Sequence, residues 1–277
     1  MFQIKDYLRR LGNVPYWLAN RLPGDWILDR QDGFTKATRL SKPLRLVEFR
    51  SVPWLVLNGK SSDWANEMMN IIESPFFCNY APQPGDKVVS VGAGIGTEAF
   101  WALKMVGPKG FVAAIEADPT AFSQLCLSAA SQGMSNLFPL HVAAASKRGW
   151  VQLNLGLLDS QDFTVSTITA RRDSHKQTIN VIADTLGSIV RDTLGWTQID
   201  LLLMNIEGGE VEALRGMDLL PKRLVVSCHD FLARPEMMTY QACREILQDL
   251  GYAISTFPAQ ESHPWVAYYI FAARNEC

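Results

Sequence analysis

From Lys87 onward, short apolar runs alternate with amphipathic stretches. Lys87-Val88-Val89-Ser90-Val91 is one such run, and Phe111 to Ile115 is a second. Near-continuous apolar runs of this size predict strands covered on both faces, as in a parallel sheet. Between them Phe100, Leu103 and Val106 share a helical face, which predicts a helix over about 96–106. The alternation then continues. Pro119 suits the start of a helix carrying Phe122, Leu125, Cys126 and Ala129. Leu137 to Val142 is a third strand. Asp184 is placed to cap a helix reaching about Leu194. Ile199 to Ile206 is a strongly apolar fourth strand, and a helix from about Gly209 to Gly216 follows. Leu224 to Cys228 is the fifth strand. A helix over Glu236 to Leu250 ends at Gly251. The last strands are Tyr252 to Phe257 and Val266 to Ala272. Their connection is too short for a crossover helix, so they must pair antiparallel. The fold class is α/β, with seven core strands.

Two regions break the rhythm. Residues 149–182 alternate as strands do, around Trp150-Val-Gln-Leu-Asn-Leu and Thr164-Val-Ser-Thr-Ile-Thr, and read as a small β insertion. Residues 1–80 form an N-terminal helical and β extension, a candidate cap or dimer element, ahead of a main domain over 81–277. In the extension, Ile4, Tyr7, Leu8 and Leu11 lie at helical spacing beside Lys5, Arg9 and Arg10. Leu44 to Leu57 suits a hairpin, and Ser62 to Ile72 a helix. Trp101, Trp150 and Trp196 are expected to pack in the core or the insertion.

Composition narrows the chemistry. The chain has 277 residues, 48% of them apolar and 19% charged, enough for one large domain core. A net charge of −2 gives no nucleic-acid footprint. No apolar run is long enough for a membrane span. Charges at Lys5, Asp6, Arg9 and Arg10 interrupt the place where a signal peptide needs its apolar segment. The five cysteines are scattered without a CxxC pair, which argues against zinc and for a reduced, cytoplasmic protein.

The chemistry concentrates where the first strand ends. Gly92, Gly94 and Gly96 follow it at alternate positions, and the second strand ends on Glu116. Glycines admit positive φ and close backbone approach. A carboxylate at the tip of the second strand can bind both hydroxyls of a ribose. The third glycine comes one residue earlier than in the dinucleotide fingerprint G-x-G-x-x-G, and no P-loop lysine follows. A nucleoside without a pyrophosphate fits better. Ligands in such sheets lie beyond the carboxyl ends of the strands. The fourth strand ends Met204-Asn205-Ile206-Glu207-Gly208-Gly209-Glu210 and the fifth Cys228-His229-Asp230. Neighbouring strands lie about 5 Å apart, so Asn205, Glu207, His229 and Asp230 should cluster. A carboxylate and a histidine there can take a proton from a substrate hydroxyl, or hold Mg²⁺ as a less favoured use. They can also serve structure alone, with Glu207 accepting from the glycine turn. His141 reads as a structural histidine near the third strand's end. His175 and His263 read as loop residues.

Three stretches carry a family resemblance. They are Val88-Val-Ser-Val-Gly-Ala-Gly-Ile-Gly-Thr97, Ile115-Glu-Ala-Asp-Pro119 and Asp200-Leu-Leu-Leu-Met-Asn-Ile-Glu-Gly-Gly-Glu-Val-Glu-Ala-Leu-Arg-Gly216. They resemble the FkbM family of S-adenosylmethionine (SAM) methyltransferases. The resemblance implies a Rossmann-like class I fold, with helices on both faces of a sheet ordered 3-2-1-4-5-7-6. It implies O-methylation of a small hydroxylated molecule such as a sugar, glycoside or secondary metabolite. The expected cofactor set is Ser90, Gly92, Ala93, Gly94, Gly96, Glu116, Ala117, Ala143 and Asn205, and the expected catalytic set Glu207, His229 and Asp230. SAM and S-adenosylhomocysteine are the expected ligands. Partners would be the acceptor and, through the N-terminal region, a second copy.

Three positions depart from the family. Ser90 and Asn205 stand where it has aspartates, and Gly94 where it has asparagine. Two charges near the methionine end of the cofactor are therefore neutral. A protein that binds SAM without turnover is one alternative. A nicotinamide-dependent reductase is another, and the early third glycine speaks against it.

Overall fold

The structure is a computed structural model that describes residues 34–41, 44–49, 52–57, 76–131, 133–154, 178–257 and 264–274. The chain divides into two compact units, Met1–Ile72 and Glu73–Cys277. In the first, β1 (Phe34–Ser41), β2 (Leu44–Phe49) and β3 (Val52–Leu57) form an antiparallel meander. The hairpin of β2 and β3 was legible in the sequence, and β1 was not anticipated. The two helices expected over 4–11 and 62–72 lie outside the described residues.

The second unit is built on a seven-stranded sheet. Its strands are β4 (Lys87–Val91), β5 (Phe111–Glu116), β6 (Leu137–His141), β10 (Leu201–Met204), β11 (Arg223–Ser227), β12 (Ala253–Thr256) and β13 (Tyr269–Ala273). They lie in the order β12-β13-β11-β10-β4-β5-β6. Numbered within the sheet and read from the other edge, this is 3-2-1-4-5-7-6. Only β13 runs antiparallel to its neighbours. The central strands are apolar because both faces are covered. Val88 and Val89 are fully buried, as are Leu201 and Leu202. Each such side chain contributes about 1.5–3 kcal/mol relative to exposure. The helices are α1 (Thr97–Val106), α2 (Pro119–Ser131), α3 (Leu186–Leu194), α4 (Glu210–Arg215) and α5 (Tyr240–Asp249).

Register decides where the chemistry can collect. Val91 lies opposite both Ile115 and Met204, and Met204 opposite Val226. Strand ends β5, β4, β10 and β11 therefore finish level, and the residues just beyond them form one edge. Strand order reverses between β4 and β10, the position beyond which ligands of such sheets bind.

Local capping corrects several expectations. The N-cap of α3 is Thr185, whose side chain accepts the Ser188 N–H. Asp184 instead ends β9 (Thr178–Asp184) and binds the Thr185 N–H and the Arg148 guanidinium. Helix α5 starts at Tyr240, because Pro235–Met237 forms a separate 3-10 turn. Residues Pro264–Tyr268 are also a 3-10 turn, so the last strand begins at Tyr269 rather than Val266. The insertion is a hairpin of β8 (Gly149–Asn154) and β9, joined along β9 by β7 (Ala143–Ala144). Its segment 155–177, which includes the expected strand at 164–169, lies outside the described residues, as does His175. Trp101 and Trp196 are buried as expected, but Trp150 is 72% exposed. It sits on the outer face of the hairpin opposite Ile182, itself 54% exposed.

Candidate active site

The glycine turn is held by the strand beside it. Gly92 and Ala93 both donate their N–H to the Ile115 carbonyl, at 2.9 and 3.0 Å. All three glycines have positive φ: 75° at Gly92, 54° at Gly94 and 104° at Gly96. Their roles differ. A Cβ on Gly92 would collide with the backbone carbonyl of Asn205, so this glycine lets the β4 and β10 loops meet. A Cβ on Gly94 would meet nothing within 4 Å, so the turn opens there onto free space.

Glu116 stands at the rim of that opening. Its Oε2 accepts the Gly94 N–H at 2.6 Å and its Oε1 the Asp118 N–H at 2.7 Å. The carboxylate thus braces the turn. Burial raises its pKa to about 7 despite those bonds. Ala117 follows it, with its carbonyl 3.1 Å from His141 Nε2. His141 is exposed and stacks on Phe122 at 4.9 Å between centroids, which accounts for it structurally. Ala143 is buried in β7, paired with Ala183. Ser90 is buried within β4.

Glu98, in the first turn of α1, was not singled out in the sequence. It lies only 8% exposed beneath the β4 and β10 loops. Its Oε1 accepts from Asn205 Nδ2 at 3.4 Å. The Oδ1 of Asn205 is buried without a hydrogen-bond donor. Burial drives Glu98 up to about 7, with the Glu116 charge adding to the effect and hydrogen bonds opposing it. The sequence signal was an acid two residues after Gly96, which reads first as a favourable charge at a helix N-terminus.

Beyond β10 and β11 lies a second cluster. His229 Nε2 is 3.1 Å from Glu207 Oε1, and Nδ1 is 3.4 Å from Glu210 Oε1. Both ring nitrogens face carboxylates, so both carry protons. Burial alone would lower the imidazolium pKa. The bonds and charges of Glu207 and Glu210 outweigh it and raise the group to about 10. Glu210 is the member that sequence reasoning missed. It is fully buried and also accepts from the Gly208 N–H and the Thr239 hydroxyl, each at 3.0 Å. Glu207 is 20% exposed and is the carboxylate of the pair that reaches the surface. It adopts φ 51°, a left-handed conformation that a non-glycine residue holds only where its surroundings enforce it.

Among the described residues, Asp230 makes no direct hydrogen bond to Glu207, Glu210 or the His229 ring. Its Oδ2 accepts the Thr239 and Tyr240 N–H groups, both at 3.0 Å, and so caps α5. Phe231 lies 5.6 Å from the His229 ring and 6.4 Å from Trp265, forming an aromatic rim. Among the described residues, no group of three or more His, Cys, Asp or Glu side chains is arranged to hold a metal ion.

A Rossmann-like sheet in the order 3-2-1-4-5-7-6, with a glycine turn and an acid at its switch point, defines a class I methyltransferase fold. Residues 90–254 match the methyltransferase FkbM domain, more than half of the chain, and the protein belongs to that family. It is a SAM-dependent methyltransferase. Among solved structures, it resembles Aeropyrum pernix fibrillarin bound to SAM, at 12% identity over 87% of this chain and 99% of the other, with a TM-score of 0.46. It also resembles the FkbM methyltransferase of Methylobacillus flagellatus, at 16% identity over 68% of this chain and 43% of that one, with a TM-score of 0.45. A third likeness is to M. jannaschii TYW2 bound to SAM, at 13% identity over 85% of each chain, with a TM-score of 0.45. No curated protein sequence matches.

The residues at the switch point fit the cofactor. The turn is open at Gly94, and the buried Oδ1 of Asn205 has no donor, both compatible with a bound nucleoside.

Proposed function

We propose that this enzyme methylates a hydroxyl of a small molecule, such as a sugar, glycoside or secondary metabolite. The observation that carries this reading is Glu207, a partly exposed carboxylate held by a buried imidazolium beside the cofactor crevice. When bound, SAM supplies a sulfonium methyl that is already activated for displacement. Gly92, Ala93, Gly94 and Gly96 shape the nucleoside pocket, and Glu116 accepts the ribose hydroxyls. Asn205 and Ser90 face the amino-acid end, with Ala117 and Ala143 lining the adenine side.

At the acceptor end Glu207 takes the proton from the attacking hydroxyl. His229 does not act as the base, because it already holds both protons at neutral pH. It orients Glu207 instead, and Glu210 orients His229 from the other side. Asp230 acts one step removed, by fixing α5 where Thr239 reaches Glu210. Phe231 and Trp265 offer a surface for the flat, apolar face of an acceptor ring. Orientation of the hydroxyl in line with the methyl supplies much of the rate.

The mild net charge of −2 supports a small acceptor over a polyanionic one. The scattered cysteines support a cytoplasmic setting. The direct test is transfer of labelled methyl from SAM to a panel of glycosides and hydroxylated metabolites, with structured RNA in parallel. Label in a hydroxyl-bearing small molecule is expected. Label only in RNA would overturn the proposal.

A further inference from the structure

We infer that Glu98 supplies the negative charge against which the cofactor's amino-acid ammonium sits, replacing the two charges that Ser90 and Asn205 do not carry. The inference rests on the SAM site described above and assigns its amino-acid end to a residue of α1.

Two acceptors stand together there with too few donors. The Glu98 carboxyl is buried and is held by its own backbone N–H and by one long side-chain hydrogen bond, 3.4 Å from Asn205 Nδ2. The Asn205 amide turns its Nδ2 toward that carboxyl, and its Oδ1 is buried with no donor. An unsatisfied buried acceptor is costly, so its persistence points to a missing partner. An ammonium brings three donors and a full positive charge. It can bond the Asn205 oxygen and the Glu98 carboxylate at once.

Position agrees with that reading. Glu98 follows the glycine turn by two residues, and Asn205 is the residue next after β10. Both lie at the reversal of strand order, between the Glu116 side and the Glu207 side. Glu98 also feels the charge of Glu116, and the buried Tyr269 hydroxyl, raised first by burial, feels both Glu98 and Glu207. Strands β5, β4 and β10 are neighbours in that order, so Glu116, Glu98 and Glu207 belong to successive strand ends, a span suited to a ligand whose cationic part lies between its ribose and the acceptor.

A purely structural role explains less. An acid in the first turn of a helix is favourable when ionised. Burial holds Glu98 protonated up to about pH 7, which forfeits most of that benefit. A ligand cation would make the ionised form favourable again.

The test compares two adenosine ligands by calorimetry on the wild type and Glu98→Gln. S-adenosylhomocysteine carries the ammonium, and methylthioadenosine keeps the nucleoside but has no amino-acid group. Glu98→Gln is expected to weaken S-adenosylhomocysteine on the order of tenfold or more while methylthioadenosine changes less than about twofold. Glu98→Asp, which keeps the charge, should retain more affinity than Gln. Equal S-adenosylhomocysteine affinity in wild type and Gln variant would overturn the inference. So would a parallel loss for both ligands, which would make Glu98 a scaffold residue. Failure of the wild type to bind either ligand would instead overturn the cofactor site itself, and the wild-type titration alone reveals it.

Discussion

The imidazole Nε2 of His229 lies 3.1 Å from Oε1 of Glu207, across the ends of two adjacent parallel strands. The ring's other nitrogen faces Glu210, so a buried cation is held between two acids. NMR titration should find this ring protonated throughout the neutral range, with its midpoint near 10. The sign for stability follows from the raised pKa. The contribution is complete below the unfolded value of about 6.5 and fades as pH rises toward 10. Thermal melts should therefore fall from neutral to alkaline pH, and fall less in His229→Gln.

Removing the cation outright should be costly. His229→Ala leaves Glu207 and Glu210 facing each other with Glu210 fully buried, and should cost about 3–5 kcal/mol. Adding Glu210→Gln should recover part of that loss. Chemical denaturation of the single and double variants checks both. Stability equal to wild type in His229→Ala would mean the ring is not charged.

Glu207→Gln separates chemistry from binding. Turnover should drop at least tenfold, a barrier change of about 1.4 kcal/mol. SAM affinity should stay within about threefold, because the group lies toward the acceptor rather than the nucleoside. An unchanged turnover number on the identified acceptor would show that the base lies elsewhere.

Glu116→Ala should weaken SAM on the order of 10- to 100-fold, the scale of one or two lost charge-assisted hydrogen bonds. The unliganded protein should also respond to pH through Glu98 and Glu116. Both are pushed up from about 4.5 to about 7, chiefly by burial. Stability is then greatest below the unfolded pKa and declines as pH rises through 7, by roughly 1–3 kcal/mol for each group. Glu98→Gln should flatten that decline. Melting curves between pH 5 and 8 measure it.

Two glycines two positions apart should behave oppositely. Gly92→Ala drives a methyl group into the Asn205 carbonyl and should prevent stable folding. Gly94→Ala meets open space and pays only for its φ of 54°, about 1–2 kcal/mol. It should fold and keep SAM binding, because the family places the larger asparagine at this position. Circular dichroism with calorimetry distinguishes the two.

Periodicity made the sheet legible. Apolar runs such as Leu201 to Met204 cannot remain exposed, and a short link between the last two strands forces them antiparallel. The meeting of Glu207 with His229 was legible for the same reason, since level strand ends bring consecutive loops together. Local competition was less legible. Asp184 and Thr185 are both good caps, and the choice fell to Thr185 because Asp184 pairs with Arg148 from the neighbouring hairpin. Trp150 was assigned to packing on its composition, but the pleat of β8 turns it outward.

The chain's own order thus determined the strands, the glycine turn and the acids at their ends, because hydrophobic period and backbone freedom are local properties. Only the tertiary structure decided what those acids do to one another. Glu210 reaches His229 because α4 begins just beyond β10, next to the end of β11. Glu98 meets Asn205 because α1 begins against the loop that Gly92 lets approach. Burial then sets the charge on Glu98 and His229, and burial depends on everything packed around a group rather than on its neighbours in sequence.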